Sequence, residues 1–315
     1  MKAVLLDQAT LSIDLTTPDG LTEFTCFERT DSDLEAIVAR AQDADIIITN
    51  KVPITADVMQ ALPKLKLIQI CATGMNNVDC DYAQKHGITV KNVADYSNTS
   101  VPEHTFMLIL GAMRAGHYYH NKVADGSWQA DGKFCLVDEP IFDLHGKTLG
   151  IIGAGSLGRA VGDIARAFGM QVLYAERQGK APRDSTYTAF DTVLQTADIL
   201  SIHCALTDDT YHLINDDTLA IIKQGGNKPL IVNMARGACV DTNAIANALQ
   251  EDTILGFASD VFEQEPPSDD EAMLKFTSHP RVFLTPHNAW ASQNAQRLLW
   301  DKLSAQVSAF IADNQ

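Results

Sequence analysis

Leu149-Gly150-Ile151-Ile152-Gly153-Ala154-Gly155-Ser156-Leu157-Gly158 joins a short apolar run to the start of a helical-period segment. Residues 148–153 read as a buried strand and 156–168 as a helix, with G-x-G-x-x-G filling the turn between them. Each glycine answers a different steric demand. Gly153 permits the tight turn, Gly155 lets the backbone approach a pyrophosphate, and Gly158 allows the helix to pack closely on the strand. The backbone N–H groups at Ser156 and Leu157 then meet phosphate with the positive end of the helix dipole. Glu176 ends the next strand, at the offset where a carboxylate accepts from the adenosine ribose hydroxyls. A carboxylate there repels the 2′-phosphate of NADP, so the reading is NAD. The neighbouring Arg177 argues the other way, because an arginine nearby can bind that phosphate.

Working outward, strands are expected at 148–153, 171–176, 199–204, 230–234, 256–260 and 282–285. Helices follow several of them, including 156–168 and an Asp241-capped 243–250. An earlier and weaker series has strands at 3–7, 45–49, 67–72 and 89–92. It has helices at 33–41 and from the Thr55 cap toward Leu62. Such alternation builds parallel sheets from βαβ units. An apolar helix spans 101–115, and a further long helical pattern spans 290–312, after the second series is already complete. The chain is therefore expected to cross over twice. Residues 1–98 and 290–315 form one domain, and 99–289 form a dinucleotide domain inserted in it. The fold class is α/β, with two doubly wound parallel-sheet domains.

The chain has 24 basic and 40 acidic residues and a net charge of −16. So acidic a surface repels phosphate backbones and anionic lipid, which disfavours nucleic acid and membranes as partners. No apolar stretch is long enough for a membrane-spanning helix, and the N-terminus lacks the pattern of a signal peptide. Six scattered cysteines without a C-x-x-C pair point to reduced thiols in a cytoplasm, with no metal site. An anionic substrate would need a local positive group. Three residues stand at or just beyond strand ends, where open α/β sheets bind ligands: Arg236, Glu265 and His287. Taken singly, they also read as a surface cation, a loop acid and a structural histidine.

Together the motifs resemble the D-isomer-specific 2-hydroxyacid dehydrogenase family over nearly the whole chain. The resemblance is carried by Gly153 to Gly158 with Glu176, by Asn233-Met234-Ala235-Arg236-Gly237, and by Asp260-Val261-Phe262 leading to Glu265-Pro266-Pro267. Pro286-His287 and the N-terminal Ala72-Thr73-Gly74-Met75-Asn76-Asn77-Val78-Asp79 complete it. Within the family, the run from His287 to Ser292 and the entry Gly146-Lys147-Thr148 look most like the glycerate dehydrogenase (hydroxypyruvate reductase) branch. The resemblance implies a Rossmann NAD-binding domain inserted in a discontinuous, flavodoxin-like catalytic domain. It implies that His287 exchanges a proton with the substrate oxygen, that Glu265 orients the ring, and that Arg236 binds the substrate carboxylate. It further implies substrate contacts from Gly74 and Met75, a nicotinamide contact from Asp260, and a cofactor channel lined by Cys204 and Met234. The expected partners are a small 2-oxo or 2-hydroxy acid and a second copy of the chain. A short phosphoglycerate dehydrogenase and a dinucleotide-sensing corepressor are the alternatives, and a formate dehydrogenase is weaker, since that branch is expected to have glutamine at position 265.

Overall fold

The computed structural model describes residues 1–314, which divide into two compact units. One comprises Met1–Ser97 with the chain from Trp290 onward, and the other is Asn98–Ala289.

The first unit opens with β1 (Lys2–Leu5), β2 (Glu23–Cys26), α1 (Leu34–Ala41) and β3 (Ile46–Thr49). It continues through α2 (Ala56–Ala61), β4 (Leu67–Ile70), α3 (Cys80–Lys85) and β5 (Thr89–Lys91). The five strands lie in the order β2-β1-β3-β4-β5, all parallel. This is a doubly wound order whose polarity switches beside β1. Side-chain caps start the helices as the residue pattern requires: Asp33 accepts from the N–H of Ala36, and Thr55 from that of Val58. β2 was not anticipated. It is an edge strand with no fully buried residue, so it lacks the apolar run that marks its neighbours. At the end of β1, the buried Asp7 accepts from the N–H groups of Asn50 and Lys51 at 2.9 and 2.6 Å. Burial pushes its carboxyl pKa up in spite of these donors.

The second unit begins with α4 (Ser100–Met113), α5 (Gly116–Ala124) and α6 (Ser127–Asp131). The regular alternation follows: β6 (Thr148–Ile152), α7 (Ser156–Ala167), β7 (Gln171–Ala175), β8 (Tyr187–Thr188), α8 (Phe190–Thr196) and β9 (Ile199–Ile202). It is completed by α9 (Asp216–Gly225), β10 (Leu230–Asn233), α10 (Thr242–Gln250), β11 (Gly256–Ser259) and β12 (Val282–Leu284). Its seven parallel strands run β12-β11-β10-β9-β6-β7-β8. Read from β6, this is the dinucleotide-binding order, with the switch point between β6 and β9. β9, β10 and β11 are buried throughout, as expected of strands covered on both faces.

Helix α11 (Gln293–Asp313), capped by Ser292, returns the chain to the first unit. Its Leu299, Trp300, Leu303, Val307, Phe310 and Ile311 pack with Leu5, Ile46, Ile48 and Leu67 of the sheet. One face of that sheet is thus covered by residues from the far end of the chain.

Candidate active site

The glycine turn lies at the switch point, where the chain leaves β6. Gly153 has φ +100°, and a Cβ there would stand 2.5 Å from the backbone nitrogen of Cys204 at the end of β9. A Cβ on Gly158 would collide with the carbonyl oxygen of Gly153. A Cβ on Gly155, by contrast, would meet nothing within 4 Å. The turn therefore closes tightly below and leaves open space above, at the start of a helix that no side chain caps and no acidic residue precedes in its first turn. A diphosphate fits such a cradle, because the free N–H groups and the dipole end both favour an anion. Ser156 is exposed there and Leu157 half-buried.

A cleft of about 900 Å³ runs from this turn along the ends of β7 and β9. Gly153, Gly155, Glu176, Arg177, Lys180, Arg183, His203 and Cys204 are among its walls. Met234 follows β10 and is buried, outside that lining. Glu176 stands where expected, at the end of β7, but it is not a bare carboxylate. Arg183 grips it through Nε at 2.7 Å and Nη2 at 2.5 Å, and this partner draws the Glu176 pKa down to about 2. Sequence reasoning missed Arg183, which lies seven residues on in a loop without periodicity.

The three candidate catalytic residues follow three neighbouring strands, β10, β11 and β12, at their carboxyl ends. The Asn233 side chain fixes the first loop, donating to the Arg236 carbonyl at 2.9 Å and accepting from the Ala235 N–H at 3.1 Å. Arg236 is half-buried, and its Nη1 donates to the Ala235 carbonyl at 2.7 Å. In the second loop, Glu265 accepts from the Phe262 N–H at 3.0 Å with one oxygen and meets His287 Nδ1 at 2.6 Å with the other. A carboxylate accepts from the proton-bearing Nδ1–H and so sets the tautomer of the ring. The structure thus joins Glu265 and His287 directly. Gly237 brings the Arg236 loop against the second loop, since a Cβ on it would run into the backbone of Phe262 and Glu263.

His287 itself adopts φ +50°, in the left-handed region. This conformation is uncommon for a residue other than glycine, though histidine tolerates it better than most. Asp260 holds it there. That carboxylate, 2% exposed, accepts from the N–H groups of Asn288 at 3.0 Å and Ala289 at 2.9 Å, and from the Thr285 hydroxyl at 2.7 Å. His104 of α4 donates to or accepts from Thr285 Oγ1 at 2.9 Å, and burial lowers its pKa. The resemblance implies a nicotinamide contact for Asp260; the structure commits its oxygens to the His287 loop. His104 and Thr285 were not singled out in the sequence, because nothing near either one signals a shared partner.

Gly74 and Met75 lie in the first unit, in the loop after β4. Thr73 and Asn77 anchor that loop through bonds to the carbonyls of Val93 and Val52 at 3.0 and 3.2 Å. Among the described residues, the N–H groups of Gly74 and Met75 have no acceptor. Met75 is exposed. No cluster of His, Cys, Asp and Glu suited to a metal occurs among the described residues.

The family model described as "D-isomer specific 2-hydroxyacid dehydrogenase, NAD binding domain" matches residues 106–289. The chain belongs to that family. It is 39% identical to a glycerate dehydrogenase of Methylorubrum extorquens, over 99% of this chain and 96% of the relative. It is 32% identical to a hydroxypyruvate reductase of Blautia hydrogenotrophica, over 99% and 97%. Among solved structures, an NADPH-dependent glyoxylate/hydroxypyruvate reductase from Sinorhizobium meliloti, in complex with NADP and malonate, superposes with a TM-score of 0.80 at 27% identity. That match covers 98% of this chain and 93% of that one. The protein is accordingly an NAD-binding oxidoreductase of the 2-hydroxyacid dehydrogenase family, built of two parallel-sheet α/β domains. No helix among the described residues is long and apolar enough to cross a membrane.

Proposed function

We propose that the protein interconverts hydroxypyruvate and D-glycerate, with glyoxylate and glycolate as a smaller pair of the same chemistry. The observation that carries this reading is the 2.6 Å contact between His287 Nδ1 and Glu265. A reduced nicotinamide, when bound, supplies the hydride for the carbonyl carbon. The proton must come from the chain, and His287 Nε2 is assigned to give it. Glu265 fixes the tautomer and orients the ring for proton transfer to the carbonyl oxygen. In the reverse direction neutral His287 accepts the proton from the hydroxyl. Arg236 supplies the cation that an acidic chain must provide for an anionic substrate, holding the carboxylate with its planar fork.

Gly74 and Met75, whose N–H groups lack acceptors, are the proposed substrate contacts of the first unit. Gly153, Gly155, Ser156, Leu157 and Gly158 are assigned to the diphosphate. Glu176, Cys204 and Met234 are assigned to the cofactor's course, and Asp260 and Arg236 to the end where chemistry occurs. The relatives named glycerate dehydrogenase and hydroxypyruvate reductase support the substrate assignment. Six free thiols support a cytoplasmic setting. A homodimer is supported by the exposed Phe134 and Val137 in the segment after α6, at 95% and 76% exposure. The test is oxidation of NADH, followed by absorbance, with hydroxypyruvate, glyoxylate, phosphohydroxypyruvate and pyruvate. Hydroxypyruvate is expected to give the highest kcat/KM. Turnover confined to phosphohydroxypyruvate or pyruvate would reject the substrate assignment, and no turnover with any of them would reject the enzyme.

A further inference from the structure

Glu265 must meet His287 across 2.6 Å, yet it stands well beyond Ser259, where β11 ends. What holds the intervening segment changes along its length. Asp260 is committed to the His287 loop, and the Val261 N–H donates to Ser259 Oγ at 3.2 Å. Past Phe262 the backbone bonds give out: among the described residues, neither Glu263 nor Gln264 makes a main-chain hydrogen bond. The side chain of Glu263 is held instead. Its Oε1 accepts from the Tyr211 hydroxyl at 3.2 Å, and its Oε2 meets His212 Nε2 at 3.2 Å. The Tyr211 and His212 rings stack on one another, with 4.1 Å between centres and 13° between planes, so one rigid pair serves both oxygens. The Glu263 charge also pushes the Tyr211 phenol pKa up, which keeps the bonding proton in place.

The anchor itself is firm. Tyr211 and His212 belong to the loop after β9, which closes on itself through Thr210. The Thr210 hydroxyl donates to the Ala205 carbonyl at 2.7 Å and accepts from the Thr207 N–H at 2.7 Å. Backbone bonds pin this loop to the one after β10. They run from the His212 N–H to the Ala238 carbonyl at 2.8 Å and from the Ile214 N–H to the Cys239 carbonyl at 3.1 Å. His212 adopts φ +45°, a left-handed conformation that persists in a residue other than glycine only where the surroundings impose it. There its ring lies between two carboxylates, with Nδ1 3.9 Å from Asp241, the residue that caps α10. Ala205, Thr207, Asp209, Thr210 and Leu213 of the same loop line the cofactor cleft.

We propose that Glu263 is a positioning residue, through which the wall of the cofactor cleft holds Glu265 against His287. The proposal rests on the acid–base roles assigned above to that pair. Close packing on Gly237 confines the backbone of Phe262 and Glu263, and the Tyr211–His212 pair confines the side chain. With both constraints in place, the Glu265 carboxylate arrives within 2.6 Å of Nδ1. The Glu263 and His212 side chains are 48% and 29% exposed, and an ion pair in that setting adds little to stability. Its contribution is geometric. The loss of it is felt in rate and not in melting.

Three variants of the full chain test the tether: Glu263→Ala, Tyr211→Phe with His212→Asn, and all three changes together. Asparagine tolerates the left-handed backbone at position 212. In each variant kcat and kcat/KM with hydroxypyruvate are expected to fall together by about tenfold, because the contact serves the geometry of proton transfer and not ground-state binding. The melting temperature and the Kd for NADH hold. The combined variant loses no more than either part, since all three changes break one contact. In a Glu265→Ala background, Glu263→Ala costs nothing further, an outcome that a general structural role would not give. Hydrogen-exchange mass spectrometry reads the tether without turnover, as faster exchange across residues 260–265 in every variant. Unchanged kcat in a folded Glu263→Ala enzyme would overturn the proposal, as would a full tenfold loss in the Glu265→Ala background. If the parent reduces none of the four 2-oxo acids, the proposed function falls, and unchanged exchange in Glu263→Ala is then what would overturn the tether.

Discussion

At the scale of the residue, the decisive feature is a histidine held in an unfavourable backbone conformation by a carboxylate that bonds the two residues after it. His287 sits at positive φ because Asp260 takes the next two N–H groups, Asn288 and Ala289, on separate oxygens. An amide cannot substitute for that. Asp260→Asn leaves one acceptor oxygen and turns an N–H donor toward another donor, at a site almost without solvent. The variant is expected to lose about 1–3 kcal/mol of stability, visible as a lower melting temperature, together with a drop in kcat as His287 shifts. Unchanged kcat in a folded Asp260→Asn enzyme would show that the loop needs no such clamp. His287→Ala is expected to lower kcat by about 10²–10⁴-fold, with the dinucleotide Kd far less affected, because it removes a proton transfer and spares the glycine cleft. Stopped-flow turnover and fluorescence titration separate the two quantities. The placement of Arg236, Glu265 and His287 just beyond three strand ends, which the structure puts after β10, β11 and β12, was legible in the sequence. The clamp was not, because Asp260, Thr285 and His104 meet only through the packing of α4 on the sheet.

At the scale of the element, two loops carry consequences that their sequences conceal. Gly237 has no room for a Cβ against the backbone of Phe262 and Glu263. Gly237→Ala must therefore displace the segment leading to Glu265. A misplacement of that kind costs on the order of 10²-fold in kcat, and steady-state kinetics with hydroxypyruvate would measure it. The second loop, from Arg177 to Arg183, is tied down by Glu176. Its carboxyl pKa falls from the usual value near 4.5 to about 2 in the folded chain. A depressed carboxyl pKa adds stability that is present above the unfolded value and is lost as pH falls through the folded one. Glu176→Gln is therefore expected to melt below the parent at neutral pH, with the difference shrinking as pH drops from about 4.5 toward 2. A difference that stays constant over that range would exclude the ion pair as its cause. Strand positions in both sheets could be read from apolar runs, because fully covered parallel strands leave little else to confuse them. β2 and β8 escaped that reading. The first is half-exposed and the second is two residues long.

At the scale of the whole molecule, the exposed apolar residues of the segment after α6 are the strongest argument for association. Phe134→Asp with Val137→Asp is expected to convert a dimer into a monomer, which light scattering coupled to size exclusion would show. A monomeric parent would remove the basis for the variant. The discontinuous unit has another consequence, in the timing of biosynthesis. Strands β1 to β5 emerge early, whereas α11, which buries Leu5, Ile46, Ile48 and Leu67, follows about 220 residues later. At ribosomal rates that interval is on the order of ten to forty seconds. Throughout it, one greasy face of the nascent sheet lacks the cover of α11, while the inserted unit is contiguous in the chain. The order of birth leaves the amino-terminal third of the chain waiting for the helix that closes it.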